Sequence, residues 1–163
     1  MSVLKTPILF LVFNRPDSTN QVFKKIREAK PTRLYVAGDG ARSTKFNEKD
    51  IIQKVRQIAT RVDWPCKLYT LFRERNLGCK KAVSDAITWF FENEKQGIIL
   101  EDDCIPTNYF FSFCEEMLKK YKYNKKVHCI GGVNFLGKKT KSLITFQNII
   151  IVGVGLHGEL LGN

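Results

Sequence analysis

Residues 97–103 read Gly-Ile-Ile-Leu-Glu-Asp-Asp, so an apolar run ends directly in three neighbouring carboxylates. A short aliphatic run that begins at a glycine predicts a buried β-strand. In open α/β sheets, ligands bind beyond the carboxyl ends of the strands, which is where these acids would lie. Carboxylate oxygens at such an edge favour Mg²⁺ or Mn²⁺ shared with substrate phosphates. The alternative interpretation of the three acids is a solvated turn.

Four further apolar runs surround this stretch, and each is short and rich in aliphatic or aromatic side chains. The runs are residues 7–13, 33–37, 67–72 and 127–130. Amphipathic stretches with helical spacing lie between them. These predicted helices are residues 17–29, 48–59, 79–93 and 107–121. Strand alternating with helix predicts an α/β fold with an open, mostly parallel sheet and helices on both faces.

The composition is that of one globular domain, with 163 residues of which 44% are hydrophobic and 26% charged. These values exclude disordered and collagen-like chains, and no apolar stretch approaches the roughly 20 residues that span a bilayer. Five cysteines form no Cys-x-x-Cys pair, which argues against a disulfide framework or a zinc knuckle and favours a cytoplasmic location. The net charge of +11 predicts attraction to polyanions, diphosphates or anionic membranes.

Polar residues also follow the other predicted strands. Asn14 and Arg15 follow the first strand, Asp39 lies between two glycines after the second, and Arg75 and Gly78 follow the third. Asp39 is either a turn aspartate or an acceptor of hydrogen bonds from a nucleobase or ribose. Arg15 is either a surface ion-pair residue or, together with the adjacent helix N-terminus, part of an anion site.

Four segments, in this order, resemble the GT-A nucleotide-sugar glycosyltransferases. They are residues 7–16 (Pro-Ile-Leu-Phe-Leu-Val-Phe-Asn-Arg-Pro), 38–40 (Gly-Asp-Gly), 75–79 (Arg-Asn-Leu-Gly-Cys) and 99–106 (Ile-Leu-Glu-Asp-Asp-Cys-Ile-Pro). The resemblance covers about residues 7–135 and points to the group that includes N-acetylglucosaminyltransferase I and similar bacterial transferases of cell-surface polysaccharides. Its most specific part is the acidic triplet followed by a proline and by Phe110 and Phe111.

The resemblance implies a nucleotide-sugar-binding core over residues 1–135. Asp103 would bind Mn²⁺ or Mg²⁺ that bridges the donor diphosphate, and Asp39 would contact uracil. The implied set of nucleotide-binding residues is Asn14, Arg15, Asp39, Arg75, Gly78, Glu101 and Asp102. The implied reaction moves a sugar from a nucleotide diphosphate, with UDP the expected nucleotide, to a hydroxyl of a glycan or lipid-linked acceptor.

Residues 136–163 depart from the family's pattern. Family members carry acceptor-binding loops and a catalytic acid well after the metal motif, whereas Glu159 is the only acid here after Glu116. Apart from an apolar run at 149–154, this segment has no clear periodicity, and we expect it to be an atypical or truncated tail of the same domain. The general base is therefore unidentified, and a second interpretation is a non-catalytic chain that keeps nucleotide binding.

Lysines dominate the acid-free segment between Glu116 and Glu159. They are Lys119, Lys120, Lys122, Lys125, Lys126, Lys138, Lys139 and Lys141. A solvated helix end favoured by the helix dipole explains them, and peripheral contact with an anionic membrane at its cytoplasmic face is the alternative. Binding of nucleic acid is a third interpretation, but aromatic interleaving and a recognisable module are missing, so no nucleic-acid partner is expected.

Overall fold

Four strands alternate with four helices along the part of the chain that the structure describes, and two further strands follow. This computed structural model describes residues 3–107, 109–124 and 126–131, together with the backbone of residues 150–153. The strands are β1 (Ile8–Val12), β2 (Arg33–Gly38), β3 (Lys67–Phe72), β4 (Gln96–Glu101), β5 (Cys129–Gly131) and β6 (Ile150–Gly153). The helices are α1 (Pro16–Ala29), α2 (Glu48–Ala59), α3 (Cys79–Asn93) and α4 (Phe110–Lys120).

The first four strands form a parallel sheet in the order β3-β2-β1-β4. β1 is central, and its Phe10 is in register with Val36 on one side and with Leu100 on the other. β6 extends the sheet antiparallel to β4, and β5 pairs antiparallel with β6. Because the chain runs outward from β1 to β3 and then crosses to the other side of β1, a topological switch point lies between β1 and β4.

The parallel strands bury side chains on both faces of the sheet, as such strands do when helices cover them. On one face they pack with α1, α2 and α4 in a cluster that includes Phe10, Phe23, Ile26, Val36, Val55, Leu100 and Phe110. On the other face they pack with α3 in a smaller cluster of Leu9, Leu11, Tyr35, Ala37, Ala86, Phe90 and Ile99. Full burial of a phenylalanine side chain contributes about 3 kcal/mol. Among the described elements α3 is the one that covers the second face, and the site described below lies beside it.

The predicted fold class is confirmed as α/β, with a parallel four-stranded sheet and helices on both faces. The predicted elements agree with the observed ones within a few residues at each end. The largest differences are at the fifth strand, which is Cys129–Gly131 rather than 127–130, and at the last helix, which begins at Phe110. The apolar run at 149–154, for which no element was predicted, supplies β6.

The predicted tail, residues 136–163, lies outside the described residues except for the backbone of 150–153. Lys125, Lys138, Lys139 and Lys141 lie outside them as well. In the described part of the chain, no helix is both long and apolar enough to cross a membrane. All the cysteines are free thiols, with Cys104 and Cys114 buried in the core.

Candidate functional site

A cleft of about 380 Å³ opens at the carboxyl end of the parallel strands, on the face that α3 covers. Its floor is apolar and is formed by strand residues and the first turns of α3, namely Leu11, Ala37, Leu71, Ala82, Val83 and Ala86. Its rim is polar, because the loops that follow β1, β2, β3 and β4 all reach this edge. The cleft includes the switch point between β1 and β4, which is where ligands bind in open α/β sheets.

The acidic triplet at the end of β4 forms one end of the cleft. Asp102 is buried, and its carboxylate accepts the Phe13 backbone N–H at 3.0 Å and Arg15 Nη1 at 3.1 Å. The same Arg15 nitrogen donates to Asp103 Oδ2 at 2.6 Å. The two carboxylates, Asp102 first, raise the pKa of Arg15 against the opposing effect of burial. Arg15 therefore links the end of β1 to both aspartates and offsets part of their mutual repulsion.

Repulsion among the three acids is only partly relieved. Burial is the main cause that raises the pKa of Glu101, and the charges of Asp103 and Asp102 raise it further. Burial also raises the pKa of Asp102, although the Phe13 N–H and Arg15 act in the opposite direction. Bringing a cation to this edge of the cleft would stabilise the ionised carboxylates.

Glu101, Asp103 and Cys104 place one potential ligand atom each within 4.8 Å of one another. Burial and the neighbouring Asp103 raise the pKa of the Cys104 thiol to about 12, so without a metal this sulfur is protonated at neutral pH, and its S–H donates to Asp103 Oδ1 at 3.4 Å. Two carboxylates without a thiolate suit a hard cation such as Mg²⁺ or Mn²⁺. Asp102 is the least suited of the three acids, because it is buried and accepts the Phe13 N–H and Arg15, whereas the Asp103 side chain is 43% exposed.

Asp39 connects the loop after β2 to the loop after β3. Its carboxylate accepts the backbone N–H groups of Gly40, Leu77 and Gly78, each bond being 2.9 to 3.0 Å long. Asn76 Nδ2 adds a 2.8 Å bond to the Gly40 carbonyl. The positive φ of Gly78, +81°, lets the chain turn into α3 directly after these contacts. Asp39 therefore holds the loop that precedes α3 against the end of β2.

Arg56 of α2 supports the same two strand ends. Its Nη2 donates to the carbonyl of Asp39 at 3.2 Å and to the carbonyl of Arg73 at 2.6 Å. Its guanidinium lies 4.7 Å from the centre of the Phe72 ring. Burial lowers the pKa of Arg56, and the charge of Asp39 opposes this shift. A partly buried cation thus reinforces the junction that Asp39 forms.

A second charged group, which the sequence did not predict, lies on the rim after β2. Glu48, the first residue of α2, is buried, and its carboxylate accepts the Arg42 backbone N–H at 2.7 Å and Arg42 Nε at 3.0 Å. Arg42 Nη2 and Asn14 Nδ2 donate to the same carboxylate. The Arg42 guanidinium lies 5.3 Å from the centre of the Phe13 ring. Glu48 therefore fixes Arg42 at the wall of the cleft.

Replacing Glu48 with glutamine is expected to lower the melting temperature at pH 7. Folding lowers the pKa of Glu48 from 4.5 to about 2, mainly because the Arg42 side chain donates hydrogen bonds to its carboxylate. A lowered carboxyl pKa stabilises the fold above pH 4.5, and this contribution is lost as the pH falls toward 2. The difference in melting temperature between wild type and Glu48→Gln should therefore be constant from pH 8 to about pH 5 and shrink below that.

Thermal unfolding of both proteins between pH 8 and pH 3 measures this difference. Glu28→Gln is the matched control, because Glu28 is an exposed glutamate in an i,i+3 pair with Lys25. Such surface pairs contribute little. A Glu48→Gln protein as stable as the Glu28→Gln control at pH 7 would contradict the structural role of Glu48.

Most of the predicted site residues come together in the cleft. Its lining includes Arg15, Asp39, Gly78, Glu101, Asp102 and Asp103. Asn14 does not line the cleft, and its side chain instead donates to Glu48. The Arg75 side chain is exposed and does not line the cleft, while its backbone lies against Gly40. Phe13, Arg42 and Glu48 were not predicted as site residues. The one sequence signal for the latter two is an arginine in the loop after the second strand and an acid at the start of the helix that follows it.

The described lysines after Glu116 do not line this cleft. Lys119 and Lys120 occupy the last turn of α4, where positive charge is favoured by the helix dipole. Lys122 and Lys126 are exposed beyond the helix. No protein-family model matches the chain, and no curated protein matches it either.

Proposed function

We propose that this chain is a metal-dependent glycosyltransferase of the GT-A type that uses a nucleotide-diphosphate sugar, with a UDP-sugar as the favoured donor. The acceptor would be a hydroxyl of a glycan or of a lipid-linked saccharide. The observation that carries the proposal is one cleft at the sheet's switch point, with an apolar floor at one end and three carboxylates at the other. A nucleotide diphosphate has matching parts, a flat base and an anionic group that binds divalent cations.

The size and the lining of the cleft support this proposal. Sites for small molecules are mostly apolar clefts of about 300–1,000 Å³ with a few well-placed polar groups, and this cleft has a volume of about 380 Å³. The nucleoside would lie on the apolar floor beside α3. Its diphosphate would then extend toward the end of β4.

Glu101 and Asp103 would hold Mg²⁺ or Mn²⁺, and the cation would stabilise the charge that develops on the departing nucleoside diphosphate. Arg15 is already held beside Asp103 by the buried Asp102, so its remaining N–H groups are placed to donate to phosphate oxygens. Asp39 and Gly78 would position the start of α3 along the nucleotide. These contributions bind and orient the donor, and the described residues assign no group to the deprotonation of the acceptor.

A non-catalytic chain that keeps nucleotide binding is the second candidate. It is favoured because two acids that line the described cleft already accept hydrogen bonds from the protein. Asp39 accepts backbone N–H groups, and Asp102 accepts the Phe13 N–H and an N–H of Arg15. Glu101 and Asp103 are the proposed metal ligands, which leaves no described carboxylate in the cleft for the base. Release of free sugar or transfer from a UDP-sugar by the purified chain would exclude this candidate.

The first test is thermal unfolding with UDP and Mn²⁺. Ligand at about 100 times its Kd stabilises a protein by about 2.7 kcal/mol, which for a chain of this size raises the melting temperature by roughly 5 to 10 °C. Asp103→Asn should abolish the metal-dependent part of this shift, because an amide is a weaker ligand than a carboxylate for Mn²⁺. Asp50→Asn, at an exposed position of α2, is the matched control and should shift like wild type. No shift in the wild-type protein would refute the proposal.

We also propose a peripheral cytoplasmic location at an anionic membrane. The exposed Lys119, Lys120, Lys122 and Lys126 and the net charge of +11 support it. Binding to vesicles that contain anionic lipid should weaken as salt rises, because screening shortens the range of the attraction. Equal binding to vesicles without anionic lipid would contradict it.

A further inference from the structure

Arg42 presents unused hydrogen-bond donors to the cleft. A guanidinium carries five N–H groups, and in this structure Nε and one Nη2 hydrogen of Arg42 bond to Glu48. Within the described part of the chain, Nη1 has no acceptor. The side chain is 42% exposed and lines the cleft. The remaining donors of Arg42 are therefore available to a ligand.

The orientation of Arg42 is fixed before any ligand arrives. The Glu48 side chain that holds it is only 4% exposed, and it also accepts a bond from Asn14 at 2.9 Å. Packing on Phe13 adds a second constraint on the plane of the guanidinium. A preorganised arginine loses little conformational entropy on binding and presents its donors in one geometry. Such a group discriminates between ligands better than a mobile surface arginine does.

The position of Arg42 indicates which part of a ligand it meets. It follows β2, whereas the acidic triplet follows β4, and these strands flank β1 on opposite sides. Strands lie about 4.8 Å apart, so the ends of β2 and β4 are separated by roughly 10 Å along the edge of the sheet. The Arg42 guanidinium lies 5.3 Å from the centre of the Phe13 ring, which follows β1. A nucleotide with its phosphates at the acidic end would thus place its base near Phe13 and Arg42.

We propose that Arg42 is a specificity-determining residue that donates to O4 of uracil or O6 of guanine and so selects these bases over cytosine and adenine. This inference rests on the proposed function, because it assumes that a nucleotide occupies the cleft. Uracil and guanine present a carbonyl oxygen where cytosine and adenine present an amino group. An arginine that faces an amino group would leave donors on both sides unpaired. The preference should therefore reach about 10-fold or more.

Calorimetric titration with UDP, CDP, GDP and ADP in the presence of Mn²⁺ tests the inference. The wild-type chain should bind UDP or GDP at least about 10-fold more tightly than CDP or ADP. Arg42→Met keeps an unbranched chain over Phe13 but removes every donor, so it should weaken binding of the preferred nucleotide to the level of the others. Lys45→Met, an exposed lysine in the same loop, is the matched control and should keep the wild-type preference.

The ratio of affinities within one protein is the decisive readout, because it does not depend on the fraction of folded protein in the sample. Glu48→Gln should reduce the ratio without removing any donor of Arg42, since it loosens the group that orients the guanidinium. If Arg42→Met binds the nucleotides with an unchanged ratio, the inference is overturned and the proposed function stands. If the wild-type chain binds none of the four nucleotides, the proposed function fails and the inference fails with it.

Discussion

Replacing Asp39 with alanine is expected to lower the free energy of unfolding by roughly 3 to 5 kcal/mol, even when no ligand is present. The substitution leaves the backbone N–H groups of Gly40, Leu77 and Gly78 without their acceptor. An unsatisfied buried donor costs about 1 to 3 kcal/mol. The Gly40 bond is buried and the bonds from Leu77 and Gly78 are partly buried, so the expected loss lies toward the lower end of that range. Urea unfolding measures the loss, and with an m-value of about 2 kcal/mol per molar the midpoint should fall by roughly 2 M.

Asp39→Asn separates the hydrogen-bonding role of this residue from its size. Asparagine keeps one acceptor oxygen but places an NH₂ donor where the second oxygen accepted N–H groups, so about half of the loss is expected. Asp50→Asn, which changes an exposed aspartate of α2, should stay within about 0.5 kcal/mol of wild type. If Asp39→Ala unfolds like wild type without nucleotide, Asp39 does not hold the two loops together, and the uracil-contacting role implied by the resemblance would gain support.

Local sequence patterns were sufficient to predict the first four strands and the helices between them. Each strand is a short apolar run that ends at polar residues. Each helix has apolar residues at intervals of three and four along the chain, as in 48–59. The placement of β6 could not be predicted, because an apolar run does not show that its partner is the distant β4 or that the pairing is antiparallel. The run at 127–130 predicted β5 but not its bounds, because β5 has only three residues and two of them, Cys129 and Gly131, are exposed.

The general location of the site was predictable because parallel strands bring their carboxyl ends to one edge. This rule brings Arg15, Asp39 and the acidic triplet together from the sequence alone. The rule does not predict which way a side chain points from the edge of the sheet. Arg75 is an example, because its backbone packs on Gly40 while its side chain is exposed.

The role of Glu48 was hidden for a different reason. A glutamate at the start of a helix is usually a solvated residue that interacts with the helix dipole, and Glu48 lies six positions after Arg42 in the chain. Only the three-dimensional path of that loop buries the carboxylate and turns the arginine toward the cleft. Sequence periodicity carries no information about that path.

Gly40→Ala is expected to destabilise the chain by roughly 3 kcal/mol and to remove nucleotide binding with it. A Cβ at this position would lie 2.6 Å from the Arg75 carbonyl oxygen, 2.7 Å from its nitrogen and closer still to its carbonyl carbon. These are backbone atoms that no side-chain rotation can move, so the loops after β2 and β3 must separate. Separation would break the Asn76 bond to the Gly40 carbonyl and strain the bonds that Asp39 accepts from Leu77 and Gly78.

Gly38→Ala, two residues earlier, is the matched control for this close approach. Its Cβ would have the Val12 carbonyl oxygen at 3.3 Å and the Phe72 ring at 3.4 Å as its nearest neighbours, so a cost of about 1 kcal/mol is expected. Urea unfolding ranks the two variants, and amide hydrogen exchange at Leu77 and Gly78 reports whether the loops have separated. Because these N–H groups bond to Asp39 rather than to a helix, they should exchange faster in Gly40→Ala and remain protected in Gly38→Ala. Equal exchange in both variants would mean that the junction tolerates a side chain at Gly40, and the contact with Arg75 would then not hold the rim of the cleft in place.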